Sequence, residues 1–509
     1  MNKVLEVVRN IHNKYNNIGS ALTELIKKFY KKYKYLLYSF LALILIYLLA
    51  YFSIFRADFK FIDDLGRAFS GYQGWDNFNR YISNFLSSFI HTSPYLTDVS
   101  PLTQFIAIIF LALSGIIILY LFKKDKITIT SVLAVSVIGL CPYFLECISY
   151  KYDSPYMALS ILASIFPFIF FNVKKKYNLS FIIFIFIGTL IMCMTYQASS
   201  GIIPIMTLFL SFRYWNEKDN QSAIKILLTA FLGYLCGLLV FKCFLMIPVD
   251  GYVTNSMFPL DELIPGAINN LKKYYNYVIT DFRNIWLILF LIISICFIAR
   301  QIINSKRNKI CAFIFTLILI AVSLLLAFGV YPLLEVPLFR GRAMYGIGIP
   351  ITLIMLNSVN GTGKYISKLF VIGLCYCFFA FSFTYGNTLS EQKRYIDFRV
   401  QNVINGLNDL KIMNSSNTKT VKLVGTVGKS PVIAKMPKNY ETILSRLVSQ
   451  SFGGTSIWNE YYFKNYFKLK NVKVDYTADI PKDKFKIEKD TMYYKIESNG
   501  KDFIIITLK

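Results

Sequence analysis

The sequence predicts a polytopic α-helical membrane protein of about eleven transmembrane helices with a small C-terminal extracytoplasmic α/β domain. Three observations lead there. Of 509 residues, 55% are hydrophobic and only 17% charged, whereas an average soluble domain is charged at roughly a quarter of its positions. The apolar residues gather in runs long enough to cross a bilayer. After residue 386 that pattern stops, and lysines alternate with polar residues around short β-prone stretches, VKLVGTV at 421–427 and FIIITL at 503–508, with a helical pattern at 440–450.

Residues 1–35 are polar and basic, with Lys27, Lys28, Lys31, Lys32 and Lys34 close together. This is too long and too polar for a signal-peptide n-region beside a cleavage site. It reads as a cytoplasmic amphipathic segment feeding an uncleaved first span. Apolar runs follow at 36–55, 102–122, 128–146, 156–172, 179–196, 198–213, 226–247, 284–300, 310–330, 343–359 and 365–385. The run at 198–213 is short and can pair with its predecessor as a hairpin. An odd number of spans puts the two ends of the bundle on opposite sides.

Loop charge sets the direction. With a cytoplasmic N-terminus, the inner connections hold Lys123, Lys124 and Lys126, then Lys174, Lys175 and Lys176, then Arg213, Lys218 and Lys225. Arg300, Lys306, Arg307 and Lys309 follow, and finally Lys364 and Lys368. This is the positive-inside distribution. The opposite connections are longer, mixed in sign, and hold most loop carboxylates. The expected organisation is therefore a cytoplasmic segment 1–35, a transmembrane domain 36–386 with an external loop 56–101, and an extracytoplasmic domain 387–509. Lysines in that last domain suit either anionic headgroups and glycolipids or simple solvation. No repeat of solenoid period is present.

Composition also narrows the chemistry. A net charge of +26 would suggest nucleic acid in a soluble protein, but here basic loops and anionic lipid explain it, and no basic recognition module is present. The nine cysteines lie in or beside apolar segments, which gives neither a disulfide framework nor a zinc signature. His12 and His91 are the only histidines, so acid–base chemistry falls to carboxylates, Lys or Tyr. No cofactor is required by the pattern; a divalent metal stays open because carboxylates cluster outside. The GTG at 361–363 is too short for a phosphate loop.

Loop 56–101 is the most informative segment. Arg56, Asp58, Lys60, Asp63, Asp64 and Arg67 follow directly on the first apolar run. In WDNFNRYISNFLSSFIH, 75–91, Trp75, Phe78, Tyr81, Ile82, Phe85, Leu86 and Phe89 keep a helical period. Asn77, Arg80, Asn84, Ser87 and Ser88 occupy the other face. Such a helix either lies in the membrane interface or packs on the external domain.

An acidic pair after the first span, an interfacial helix, and D-x-x-P-L at Asp98–Leu102 opening the second span resemble polyprenyl-phosphate-dependent membrane glycosyltransferases of the GT-C fold. The sequence is most similar to the type-specific glucosyltransferases of O-antigen modification, the Gtr family. DDLGRAFSGYQGW at 63–75, YKYDSPYMALS at 150–160, YQAS at 196–199 and RGRAMYG at 340–346 carry the resemblance in order. QKRYIDFRVQ at 392–401 resembles the family's approach to its C-terminal domain.

The resemblance implies an enzyme of the bacterial inner membrane, N-terminus cytoplasmic and C-terminus periplasmic. It would move glucose from undecaprenyl phosphate–glucose to a hydroxyl of a lipid-linked surface polysaccharide, modifying lipopolysaccharide O-antigen and converting serotype. A partner glucosyltransferase that charges the carrier and a flippase that turns it over are implied with it. The acceptor hydroxyl needs a carboxylate to take its proton, and Asp63 and Asp64 stand at the lipid–water boundary. Asp64 is expected as the base with Asp63 orienting it, narrowly ahead of the reverse; capping a helix or pairing with Arg56 and Arg67 is the structural alternative.

The departing phosphate needs fixed cations. Arg340 and Arg342 are expected there, with Gly341 allowing close approach and interfacial snorkelling as the alternative for the two arginines; Lys151 is a further candidate. Arg67, Glu146, Asp153, Tyr196 and Gln197 are candidates for sugar or acceptor binding, and a structural salt bridge is the alternative for Lys151 and Asp153. Loop 248–283, with Asp250, Asp261 and Glu262, is expected to shape the acceptor groove. Single displacement at the anomeric carbon inverts it, so a β-linked carrier sugar yields an α-glucoside. A transferase of another sugar, such as mannose, arabinose or galactose, is the nearest rival. A flippase or polysaccharide transporter should carry polar groups or broken helices at mid-membrane, whereas these spans are almost free of charge.

Overall fold

A computed structural model describes residues 2–123, 127–175, 177–247, 257–359, 364–448, 452–454, 456–466, 469, 471–482 and 484–509. Lys124, Lys126, Lys176, Asp250 and the GTG at 361–363 lie outside the described residues.

The chain is mostly helical. In order it forms α1 (Asn2–Ala57), α2 (Asp63–Ser70), α3 (Tyr81–Ile90), α4 (Leu102–Lys123), α5 (Ile129–Leu140), α6 (Phe144–Ser149), α7 (Ser154–Ile165), α8 (Leu179–Cys193) and α9 (Ile202–Asn216). Then come α10 (Asn220–Val240), α11 (Leu263–Asp281), α12 (Asn284–Asn304), α13 (Lys309–Leu325), α14 (Gly341–Met344), α15 (Gly348–Ser358) and α16 (Lys364–Asn408). The C-terminal part adds α17 (Pro431–Ala434), α18 (Lys438–Leu447) and α19 (Asn459–Tyr466), with strands β1 (Lys419–Val424), β2 (Val472–Val474), β3 (Lys486–Asp490), β4 (Tyr494–Ser498) and β5 (Phe503–Leu508).

Among the described residues, six helices are long and apolar enough to cross a membrane: Tyr30–Ala57 of α1, α4, Asn220–Leu245 (α10 with one π turn), α12, α13, and Tyr365–Asn408 of α16. The expectation of eleven spans exceeds the six that length and hydropathy support. The other five apolar runs fall on α5, α7, α8, α9 and α15, none longer than 15 residues. Burial explains two of them, since α5 and α15 are enclosed by protein along nearly all of their length. Backbone at membrane depth can leave the helix where protein supplies its partners.

Helices α1 and α16 pack side by side and run parallel. Ser382 Oγ donates to the Ala50 carbonyl at 2.8 Å, Ser53 Oγ to the Ser382 carbonyl at 3.2 Å, and Arg56 to Asn387. Gly386 marks the close approach, since a Cβ there would lie 2.3 Å from Ser53 Oγ. With 45 residues, α16 extends roughly 68 Å and carries the chain from the bundle into the C-terminal domain. Loop 56–101 and that domain therefore share one end of the bundle. At the other end basic side chains fasten the connections: Arg213 to the Leu121 carbonyl at 2.7 Å, Arg307 to Trp215 at 2.8 Å and Lys225 to Val173 at 3.1 Å.

The C-terminal domain holds a five-stranded mixed sheet in the order β2-β1-β5-β4-β3. β1 is parallel to both neighbours, and β3, β4 and β5 are antiparallel. The almost wholly buried FIIITL of β5 takes the centre, as a continuous apolar run should. The domain is anchored to the bundle by α18, where Arg446 Nε donates to the buried Asp281 at 2.5 Å; Tyr143 OH reaches the same oxygen at 2.9 Å. Helix α19 packs on α2.

Candidate active site

The chain leaves α1 at Ala57 and turns through Asp58 and Ile62, both at positive φ, to start α2 on the acidic pair. Carboxylates suit this position, where the first-turn N–H groups and the helix dipole favour negative charge. Neighbouring helical residues point about 100° apart, and the two aspartates have opposite fates. Asp64 is wholly buried. Its Oδ2 accepts from the Phe61 N–H at 2.8 Å and the Lys151 N–H at 3.1 Å, and among the described residues its Oδ1 has no hydrogen-bond partner. Burial pushes this carboxyl up to about 8 against the pull of the two N–H donors.

Asp63 is half-buried, and among the described residues it makes no hydrogen bond or ion pair. Burial raises its proton affinity, the nearby Arg67, Arg342 and Arg80 oppose that, and Asp153 adds to it. Asp63 is thus a carboxylate with free lone pairs, facing several arginines without contacting them.

The structure turns several expected ligands inward. Arg67 forms a buried ion pair with Asp153 and stacks on Trp75, its guanidinium carbon 4.2 Å from the ring centre. Trp75 Nε1 donates to the other Asp153 oxygen at 2.5 Å. Lys151 pairs with Asp58 and, at 3.1 Å, with Asp98, while its carbonyl accepts from Thr103 Oγ1 at 2.5 Å. A cavity of about 110 Å³ opens beside it, lined by Asp58, Gln104 and Ser149 among others. Glu146, fully buried on α6, accepts the Arg342 N–H at 2.9 Å and faces its guanidinium at 3.5 Å. Arg67, Asp153, Lys151 and Glu146 therefore join segments distant in sequence instead of presenting free groups to a sugar or phosphate.

Arg342 lies over the Tyr150 ring at 5.4 Å, bonds its hydroxyl, and stays part-exposed; Arg340 is exposed. Gly341 is required between them, because a Cβ would lie 2.7 Å from Glu146 Oε2 and 2.6 Å from Leu447 Cδ2. Tyr196 is buried and stacks on Tyr345 at 6.2 Å; Gln197 next to it is half-buried.

Sequence reasoning did not single out Arg80. It lies 4.6 Å over the Tyr196 ring, its Nε is 3.4 Å from Gln197 Oε1, and among the described residues it has no carboxylate partner. Its position just before α3 made it look like one polar residue of an amphipathic helix.

Helix α3 is inverted relative to a core-facing helix. Ser83 and Ser87 are buried, and Gln73 Nε2 donates to Ser87 Oγ at 2.8 Å, Ser88 Oγ at 2.9 Å and the Asn84 carbonyl at 3.1 Å. Phe85 and Phe89 are 64% and 66% exposed. A polar face turned to protein and an aromatic face turned out fit a helix lying in the interface. Among the described residues, no three Asp, Glu, His or Cys side chains gather to hold a metal ion.

Comparison with known proteins adds two findings. The family model described as Glucosyl transferase GtrII matches residues 52–355, which include α2, Arg80, Lys151 and Arg342. A protein of Salmonella phage P22, described as an uncharacterized 55.3 kDa protein in the gtrB 5' region, is 31% identical over 231 residues. That match covers 45% of this chain and 43% of the phage protein, so the chain spans less than half the length of this relative.

Proposed function

Because the chain belongs to the GtrII glucosyl transferase family, we propose that it moves glucose from undecaprenyl phosphate–glucose to a hydroxyl of a lipid-linked O-antigen polysaccharide. We place this at the periplasmic face of the bacterial inner membrane, with the N-terminus cytoplasmic. Family membership gives a glucosyltransferase, and six apolar helices suit a membrane protein; the donor, acceptor and side are our reading. The observation that carries it is Asp63, a carboxylate unpaired among the described residues and facing arginines at the end of the bundle away from the basic connections.

The roles follow from accessibility. Asp63 takes the proton of the acceptor hydroxyl as its oxygen attacks the anomeric carbon. The bond from that carbon to the phosphate oxygen breaks, and undecaprenyl phosphate leaves with the electron pair, inverting the centre. Arg342, Arg340 and Arg80 supply fixed positive charge for the departing phosphate, which the planar guanidinium fork suits. Asp64 serves as a positioning residue that joins the start of α2 to Lys151. This reverses the narrow sequence-based preference for Asp64 as base, since both lone-pair capacity and exposure lie with Asp63.

The test is polysaccharide structure by mass spectrometry and NMR in cells carrying wild type, Asp63→Asn or Asp64→Asn at matched protein levels. Wild type should add a hexose, identified as glucose by NMR. Asp63→Asn should abolish it and Asp64→Asn should keep most of it. Normal decoration by Asp63→Asn would remove Asp63 as base. A wild type that adds nothing while lipid-linked sugar changes sides would make the protein a transporter.

A further inference from the structure

We propose that Trp458 and Tyr461 of the C-terminal domain, together with Phe69 of α2 and Tyr72 just after it, form the surface that holds the acceptor saccharide against Asp63. This rests on the glucosyltransferase reading and deepens it.

Gly66 stands one turn beyond Asp63, on the same face of α2. It has no side chain because two rings already occupy that space: a Cβ would lie 2.8 Å from Trp458 Cζ3 and 3.2 Å from the Tyr72 ring. Tyr461 continues the patch, 5.8 Å from Trp458 and 5.9 Å from Phe69 between ring centres. Lys464, paired with Glu460 at 2.5 Å, lies over the rings of Phe69 and Tyr461, 5.5 and 5.9 Å from their centres. Phe69 and Tyr72 remain 43% and 36% exposed, and Trp458 and Tyr461 are half-buried. Rings from two distant parts of the chain thus meet beside the proposed base, with Trp458 and Tyr461 packed against the core on one side and left partly open on the other.

A contiguous aromatic patch left open on a polar domain marks a binding surface. Flat rings match the C–H faces of a pyranose, while Tyr hydroxyls and the Trp N–H reach sugar hydroxyls. Lipid is the poorer occupant, because α19 carries charged Glu460 and Lys464 at the patch, whereas the purely apolar Phe85 and Phe89 face outward on α3. The donor phosphate is expected elsewhere, since Arg80 and Arg342 sit over Tyr196 and Tyr150, a separate set of rings.

The experiment measures transfer by the full-length protein in membranes. Radiolabelled undecaprenyl phosphate–glucose serves as donor, and lipid-linked polysaccharide extracted from cells lacking the protein serves as acceptor. Tyr461→Ala and Trp458→Ala should each raise the half-saturating acceptor concentration roughly tenfold, the worth of one good aromatic contact, and leave the donor value unchanged. Trp458→Phe should recover most of the loss. Because Trp458 also leans on Gly66, Tyr461→Ala is the cleaner variant, and gel filtration checks that both remain folded.

Unchanged acceptor values in both alanine variants would overturn the inference, as would an equal loss towards donor and acceptor. A wild type that transfers nothing would sink the glucosyltransferase reading itself, and this inference with it.

Discussion

Asp64→Asn should leave the protein folded and active, whereas Asp64→Ala should not. With its proton affinity pushed up to about 8, the Asp64 carboxyl is mostly neutral at pH 7. The proton belongs on Oδ1, because Oδ2 already accepts two N–H groups. Asparagine reproduces that arrangement, its oxygen in place of Oδ2 and its amide nitrogen in place of the protonated oxygen. Alanine leaves the Phe61 and Lys151 N–H groups buried without acceptors, at about 1–3 kcal/mol each, or roughly 2–6 kcal/mol together. The pH dependence has a definite sign. The folded state keeps a proton that the unfolded chain releases near pH 4, so this carboxyl makes stability fall as pH rises from about 4 to about 8. The slope is on the order of 1 kcal/mol per pH unit. Melting followed by tryptophan fluorescence in detergent at pH 5.5, 7 and 8.5 should therefore show Asp64→Asn gaining on wild type as pH rises. Asp64→Ala melting together with Asp64→Asn would refute the clamp. An inactive Asp64→Asn of normal stability would make Asp64 the base.

Asp63→Asn should lower transfer by about 10²–10⁴-fold without moving the melting temperature, and wild-type activity should rise with pH through a midpoint above the ordinary carboxylate range. Arg67→Met should cost about 3–5 kcal/mol by stranding the buried Asp153 charge, read as a lower melting temperature. Asp153→Asn should shift the acidic limb of the pH–rate profile to lower pH, provided the variant is compared at temperatures where it stays folded. Arg446→Ala should leave Asp281 without its ion pair and loosen the C-terminal domain, so limited proteolysis should cut faster between α16 and β1 than in wild type.

The long spans were legible because lipid-facing helices must be apolar over their whole length, as α4, α12 and α13 are. The short ones were not, because a helix buried in protein has the same composition as one buried in lipid. α5 and α15 illustrate this: apolar runs of about two bilayer-leaflet lengths in sequence became helices of 12 and 11 residues. Periodicity found α3 but could not say which face turns inward, and Gln73 decided it by supplying polar partners for the serine face. Residue types at the site were readable; their partners were not. Arg67 and Asp153 are 86 positions apart, and Glu146 meets the Arg342 N–H across 196. Nothing local marks such pairs, so four expected substrate ligands turned out to join loops to one another.

Those pairings bear directly on the proposed chemistry. Arg67 stands four residues after Asp63 on α2, the spacing at which an acid and a base on a helix usually pair. A short ion pair there would occupy the lone pairs of Asp63 and lower its proton affinity, leaving a poor base. Instead Asp153 draws the guanidinium away, Trp75 covers it at 4.2 Å, and the Trp75 N–H holds Asp153 in place. Arg67 is kept near enough to act on Asp63 through its field and too well held to touch it. Glu146 holds Arg342 at both ends, accepting its backbone N–H at 2.9 Å and pairing with its guanidinium at 3.5 Å where the side chain passes Tyr150. The buried Arg67–Asp153 pair thus leaves Asp63 without an ion pair among the described residues. Removing Asp153 frees Arg67 to reach back one turn, and Asp63 then gives up its proton at lower pH and accepts the acceptor's proton less readily.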